Sequence, residues 1–273
     1  MKEVNFNKFC YGVTLLSGVI FVSLFFYGTP LPSPSSVVPE IARGFPEQVE
    51  LSGAAPFTIE RGTYRYTLVP HASYTLRGLV VSLHHSDSFI DVSHKDDPAN
   101  TVDVCVVWGP NITTNGYRMV SYAHGDFTCY YSWKGENDPP FSGEFLSNNH
   151  IVPETAELAA LIKSVKVGDQ IELVGELVDY RVTEGGELLG QRSTSLIRTD
   201  VGNGACEILY LTEARIIARN MPWHGPVALG AGIVFVLSLI IGFFVSMPKY
   251  FRIKKGTRHV VTPNPNDPTN FIK

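Results

Sequence analysis

Positive charge is sparse in this sequence. Its 273 residues hold 22 Lys and Arg against 26 Asp and Glu, a net charge of −4. No basic stripe occurs outside the C-terminal tail, which argues against a nucleic-acid binder. Other absences narrow the field further. No GK[ST] ending follows the one glycine-rich turn, so a phosphate loop is not indicated. No HxH or HxxxH pair occurs among the eight histidines. No internal repeat is visible. Strand signals do not alternate with helix signals, which disfavours a doubly wound sheet.

What is present begins with two long apolar runs, Phe9 to Tyr27 and Val227 to Met247. Each has roughly the twenty residues that cross about 30 Å of hydrocarbon as a helix. Neither carries an ionisable residue, so no transport pathway is suggested. Lys2 and Lys8 precede the first run, and Lys249, Arg252, Lys254, Lys255 and Arg258 follow the second. Basic flanks stay cytoplasmic, so both ends are expected inside and the middle outside. Trp223, Tyr250 and Phe251 suit interfacial anchors. The first run is too long for a usual signal-peptide core and lacks an A-x-A-like site after it, so it reads as an uncleaved anchor.

The expected layout is a cytoplasmic N-terminus at 1–8, a span at 9–28, a Pro/Ser-rich linker at 29–46, an extracytoplasmic domain at 47–222, a second span at 225–247 and a basic cytoplasmic tail at 248–273. Cys10 falls at the edge of the first span. Cys105, Cys129 and Cys206 fall in the outer domain, where oxidation is available. Three is odd, so at most one internal disulfide forms and one thiol remains.

Within the outer domain regular structure is expected from near Tyr64. Tyr64, Tyr66 and Leu68 alternate, Pro70 interrupts, and Tyr74 to Leu83 resumes a β pattern. His84 to Asn100 reads as a polar loop, Val102 to Trp108 as a strand, and Phe127 to Trp133 as part of a hairpin. The period then changes. Leu158, Leu161, Ile162 and Val165 fall on one face of a short helix after Pro153. Strands return at Gln170–Tyr180, Leu188–Ile197 and Ala205–Ala218. Strands, one helix, then strands predict a mainly β domain, an antiparallel barrel with one short helix, between the two transmembrane helices.

Val167-Gly-Asp-Gln-Ile-Glu-Leu-Val-Gly-Glu-Leu-Val-Asp-Tyr180 resembles an OB-type strand in which Gly175 allows the bend of a small barrel. The pattern of span, OB-like domain and span is similar to the "beside a membrane" domains of some membrane ubiquitin ligases and their bacterial relatives. The resemblance implies an OB-like small barrel. It does not imply ligase activity, because the zinc-binding RING of those enzymes has no counterpart here.

Three polar clusters are candidates for chemistry. His85, Asp91 and His94 are the first ligands expected if the His84–Asp97 loop holds a divalent metal, the one cofactor suggested. The plainer reading is a solvated loop. In Ser147-Asn-Asn-His150, the amides of Asn148 and Asn149 beside His150 suit a small ligand, or else cap the following helix. Around the glycine-rich turn, Arg198 and Asn203 join that ligand set, while Asp200 and Cys206 join His150 as candidate catalytic groups, since a nucleophilic thiol needs a nearby base. A tight hairpin explains the same turn without chemistry. Asn111-Ile-Thr113 matches a glycosylation acceptor.

The leading expectation is a non-enzymatic, membrane-anchored module that binds or braces another envelope protein close to the bilayer. The rival is an envelope hydrolase using Cys206, His150 and Asp200. A third reading is a metal-sensing domain.

Overall fold

The computed structural model describes residues 2–26, 29–86, 97–125, 127–197, 200 and 206–253, without the side chains of 2–7, 224 and 246–253. It divides into two units, one of residues 1–28 with 223–273 and one of residues 29–222.

The first unit is a helix pair, α1 (Lys2–Phe26) and, at the far end of the chain, α5 (His224–Ile253). Lys8–Phe26 and Gly225–Val245 are long and apolar enough to cross a membrane. Small residues let the two helices approach. A Cβ on Gly18 would stand 2.9 Å from the Phe235 ring, and one on Gly232 would stand 3.0 Å from Phe21. Thr14 donates a hydrogen bond to Ser238 across the pair at 2.8 Å.

The second unit is mostly β. Its elements are α2 (Pro39–Ala42), β1 (Glu47–Glu50), β2 (Phe57–Arg61), β3 (Tyr64–His85), β4 (Val102–Val107), α3 (Pro110–Thr113), β5 (Ser121–Gly125), β6 (Thr128–Ser132), β7 (Leu146–Pro153), α4 (Ala156–Lys163), β8 (Gln170–Glu184), β9 (Glu187–Arg192) and β10 (Glu207–Ala218). Eight strands make one large sheet, and β5–β6 is a separate hairpin. The long β3 pairs antiparallel with β4 and also with β8. β4 pairs antiparallel with β7, β7 runs parallel to β10, and β10 pairs antiparallel with β8.

Pro70 does not end β3. It sits beside a register shift between Pro70 and Ala72 that leaves His71 as an extra residue; a bulge tolerates the missing N–H. The same shift explains the two apolar series of β8. β3 keeps its even-numbered residues buried, while β8 turns in Ile171, Leu173 and Leu177 before the bulge and Val178, Tyr180 and Val182 beyond it. These sets belong to two clusters of the core, the larger centred on β3, β4 and β8 and the smaller on Tyr66, Leu68, Val178 and Tyr180.

Three further expectations need correction. Regular structure begins before α2 and well before Tyr64. The Pro/Ser-rich stretch predicted as a linker is packed: Val37 and Ile41 are buried in the main core, and Gln170 holds both Val38 N (2.7 Å) and Ser36 O (2.9 Å). Two apolar residues among the prolines suffice to seat it. Asn111 is buried and wholly used, donating to Ser142 O and Phe145 O and accepting from Ser142 N. In the folded domain it is therefore closed to a glycan.

The first and last residues of this unit meet. Asn220 Nδ2 donates to Pro30 O at 3.1 Å and to Val167 O at 3.2 Å, and Asn220 N donates to Asp169 at 2.8 Å.

Candidate functional site

Four neighbouring strands present polar residues along one stripe. Register places Ser82 opposite Cys105 and His84 opposite Asp103. It then places Cys105 opposite Asn148 and Asp103 opposite His150, with Ile208 beside His150 on the next strand. Directly opposed residues share a face. Cys206, two residues before Ile208, arrives on the same side as Asn148 and His150.

The β5–β6 hairpin covers this stripe. A disulfide joins Cys129 on the hairpin to Cys105 on β4. His124 Nδ1 lies 3.2 Å from Ser82 Oγ, and its ring stacks with that of His84 at 6.1 Å. Phe127 sits at the turn with φ +59°, a left-handed conformation that is uncommon for a bulky residue and points to external constraint. Its carbonyl supplies two such constraints. It accepts from Asn148 Nδ2 at 3.1 Å and from the Cys206 thiol at 3.4 Å. Its ring meets that of His150 edge-on at 5.7 Å.

Beneath Phe127 lies a carboxylate, an imidazole and a thiol in series. Asp103 Oδ1 is 2.6 Å from His150 Nδ1 and also accepts from Asn100 Nδ2 at 2.9 Å. Asp103 is fully buried and His150 is 4% exposed. Burial by itself pushes the imidazole down, but the hydrogen bonds to Asp103 and Cys206 outweigh it and raise His150 from 6.5 to about 9. Asn148 Nδ2 also donates toward Cys206 Sγ at 3.7 Å. His124 behaves oppositely: burial lowers it to about 4, and the approach of Asp103 offsets this only in part. Cys206 is half-buried.

At the edge of the stripe Arg192 places its guanidinium 3.5 Å from the Phe127 ring centre, a cation–π arrangement. It also stands 3.8 Å from Asp97, which accepts from Tyr66 at 3.0 Å and from Tyr180.

The expected site residues separate accordingly. Cys206, His150 and Asn148 are together. Asn149 faces away from them, fully buried, donating to Val104 O at 3.3 Å and Ser147 Oγ at 2.8 Å. The acid on His150 is Asp103, and Asp200 accepts instead from Ser195. Ser147–His150 is strand β7 and not a cap; Thr155 caps α4, accepting from Leu158 N at 3.3 Å. His85 ends β3, while Asp91 and His94 lie outside the described residues, as do Arg198 and Asn203. Among the described residues no group of three or more His, Cys, Asp or Glu could hold a metal ion. Among the nearby aromatic residues, Trp108 and Tyr117 are core, whereas Tyr130, Tyr131 and Trp133 are exposed.

Asp103 was missed. The available signal was an acid within Val-Asp-Val-Cys-Val-Val, because a charge in so apolar a strand requires a buried partner.

Fold and site together describe a β-rich domain, flanked in sequence by two apolar helices, in which a thiol adjoins a buried imidazole–carboxylate pair. Comparison with protein-family models, with curated proteins and with solved structures found no match.

Proposed function

We propose that this chain is a two-span membrane protein whose extracytoplasmic domain is an OB-like barrel bearing a thiol-dependent catalytic centre. Cys206 is the nucleophile, protonated His150 stabilises negative charge on its sulfur, and Asp103 fixes the ring and stabilises the positive charge. The observation that carries this reading is the 2.6 Å contact of Asp103 with His150, whose partner on the next strand, Ile208, lies two residues beyond Cys206. An imidazolium held by a carboxylate beside a thiol is an arrangement that activates the thiol as a nucleophile.

Several features support the surrounding frame. The pairing sequence β3–β4–β7–β10–β8–β3, with α4 between β7 and β8 and one parallel pair, supports the OB-like reading. The site falls on β4 and β7, the second and third barrel strands in that reading, where OB domains hold their ligands. The Cys105–Cys129 bond suits an oxidising compartment. Basic residues after the second apolar run favour cytoplasmic ends.

A second reading is the non-enzymatic module, binding an envelope protein through the same face. The near-complete burial of His150 favours it, since a partner could meet only Cys206 and the hairpin.

The test uses the full-length chain in detergent with Cys10→Ser, so that Cys206 is the free thiol measured. Iodoacetamide labelling of Cys206 at pH 7 should slow at least about tenfold in His150→Gln, because a thiol without a neighbouring imidazolium reacts mainly through the small thiolate fraction of an isolated cysteine. Asp103→Asn should slow it less. Equal rates in the three proteins, each rising with pH as an isolated thiol does, would remove the catalytic reading and leave the binding one.

A further inference from the structure

The position of Asn148 says which chemistry the thiol performs. Its side-chain nitrogen has two hydrogens. One is committed to Phe127 O at 3.1 Å, and the other is directed at Cys206 Sγ from 3.7 Å. The bond to Phe127 fixes the amide plane, and the disulfide at Cys129, two residues further along, fixes the hairpin that carries Phe127. Sulfur is a weak acceptor, and a donor preset beside it gains more if negative charge appears on an oxygen one atom beyond. We infer that Cys206 performs acyl transfer on an ester, thioester or activated amide, and that Asn148 Nδ2 is the donor that stabilises the oxyanion.

The step balances within the residues described. Cys206 Sγ, as the thiolate beside protonated His150, forms a bond to the acyl carbon. The C=O π pair moves onto oxygen, giving a tetrahedral oxyanion. A nitrogen 3.7 Å from sulfur can come within about 3 Å of that oxygen, the distance an oxyanion donor requires. Collapse restores C=O, breaks the bond to the leaving group and passes the proton of His150 to it, leaving a thioester on Cys206 and a neutral His150. Water gives a proton to His150 as it attacks the thioester, and collapse of the second oxyanion expels the Cys206 thiolate and releases the acid.

This inference rests on Cys206 being the nucleophile, and two reagents separate the claims. Iodoacetamide alkylates by displacement at a saturated carbon and forms no oxyanion. p-Nitrophenyl acetate acetylates through one. With the full-length Cys10→Ser protein in detergent, the acetyl group on Cys206 is followed by mass spectrometry. Asn148→Ala should lower the ratio of acetylation rate to alkylation rate about 100-fold, the usual loss for one oxyanion donor. Asn148→Asp, equal in shape but without N–H donors, should lower it at least as far, and its alkylation rate reports that the site is still assembled. An unchanged ratio in both variants would overturn the role of Asn148 while leaving Cys206 as nucleophile. Equal slowing of both reactions would overturn it too, showing that Asn148 only positions the thiol. If His150→Gln slows neither reaction, the catalytic reading itself falls.

Discussion

Gly175 offers a direct test of how β8 is held between its neighbours. It pairs with Tyr74 of β3 on one side and Leu211 of β10 on the other. A Cβ built there would lie 2.0 Å from the carbonyl oxygen of Tyr210 and 3.0 Å from Leu209 Cδ1. The first contact is more than 1 Å too short, and it is with backbone. Tyr210 cannot easily give way, because it opposes Glu176 on β8 and Val152 on β7. β10 already bulges next to this point, between Leu211 and Glu213. Gly175→Ala adds only the offending atom, and Gly175→Val adds two methyls. Overpacking of this kind costs about 1–3 kcal/mol, and for a domain of this size each kcal/mol moves the melting temperature by roughly 2–4 °C. Thermal unfolding of the full-length chain in detergent, followed by near-UV circular dichroism, should show Gly175→Ala melting several degrees low and Gly175→Val lower still. Glu187→Val, at an exposed strand end, should stay within a degree or two. If Gly175→Ala melts with the parent protein, β10 does not approach β8 as described, and the argument for this stretch of sheet fails.

Reporter fusions after residue 120 should behave as extracytoplasmic and fusions after Lys273 as cytoplasmic; a cytoplasmic signal from the middle would overturn the proposed topology. Mass mapping without reductant should recover Cys105 joined to Cys129, with Cys206 free. Reduction should cost roughly 3 kcal/mol of stability, as expected for a cross-link spanning 24 residues, and a bond to Cys206 would contradict the structure. The two perturbed histidines predict a pH profile. His150, held at about 9 against Asp103 and Cys206, contributes stability that is complete below 6.5 and lost as pH rises from 6.5 through 9. His124, held at about 4 by burial with His84 and His150 adding to it, must gain a proton on unfolding below pH 6.5, so stability falls as pH drops from 6.5 toward 4. Urea unfolding should therefore show these two contributions peaking together near pH 6.5, and His124→Gln should flatten the acid limb alone.

The parts of the fold that were legible are those written locally. Two uninterrupted apolar runs specify two long helices. The alternation in Tyr64–Leu68, Val102–Val107 and Gln170–Leu177 marks strands of a large sheet. What could not be read depends on contacts between distant segments. Pro70 looked like a strand break because its bulge is defined only by its pairing with β8. Ser147–His150 looked like a cap because polar residues precede a helix, yet the segment is clamped between β4 and β10. His150 and Cys206 are legible by residue type, but their acid lies 47 positions upstream of His150, whereas Asp200, close to Cys206 in sequence, accepts from Ser195. The hairpin at Phe127–Trp133 was legible, but its place over the site was not, because a disulfide and a carbonyl, not a motif, bring Phe127 to His150.

The meeting of Pro30 and Asn220 makes the outer domain a cartridge. A body whose first and last residues are tied together needs no particular host, only two chain ends lying equally close. Residues 29–222 should be transplantable into the exposed turn of a soluble carrier without stretching either partner, as insertion of domains with adjacent ends generally permits. The same closure gives evolution a simple unit of exchange: the membrane helices on either side could be replaced, lengthened or lost while the strands and the stripe of polar residues remain unaltered.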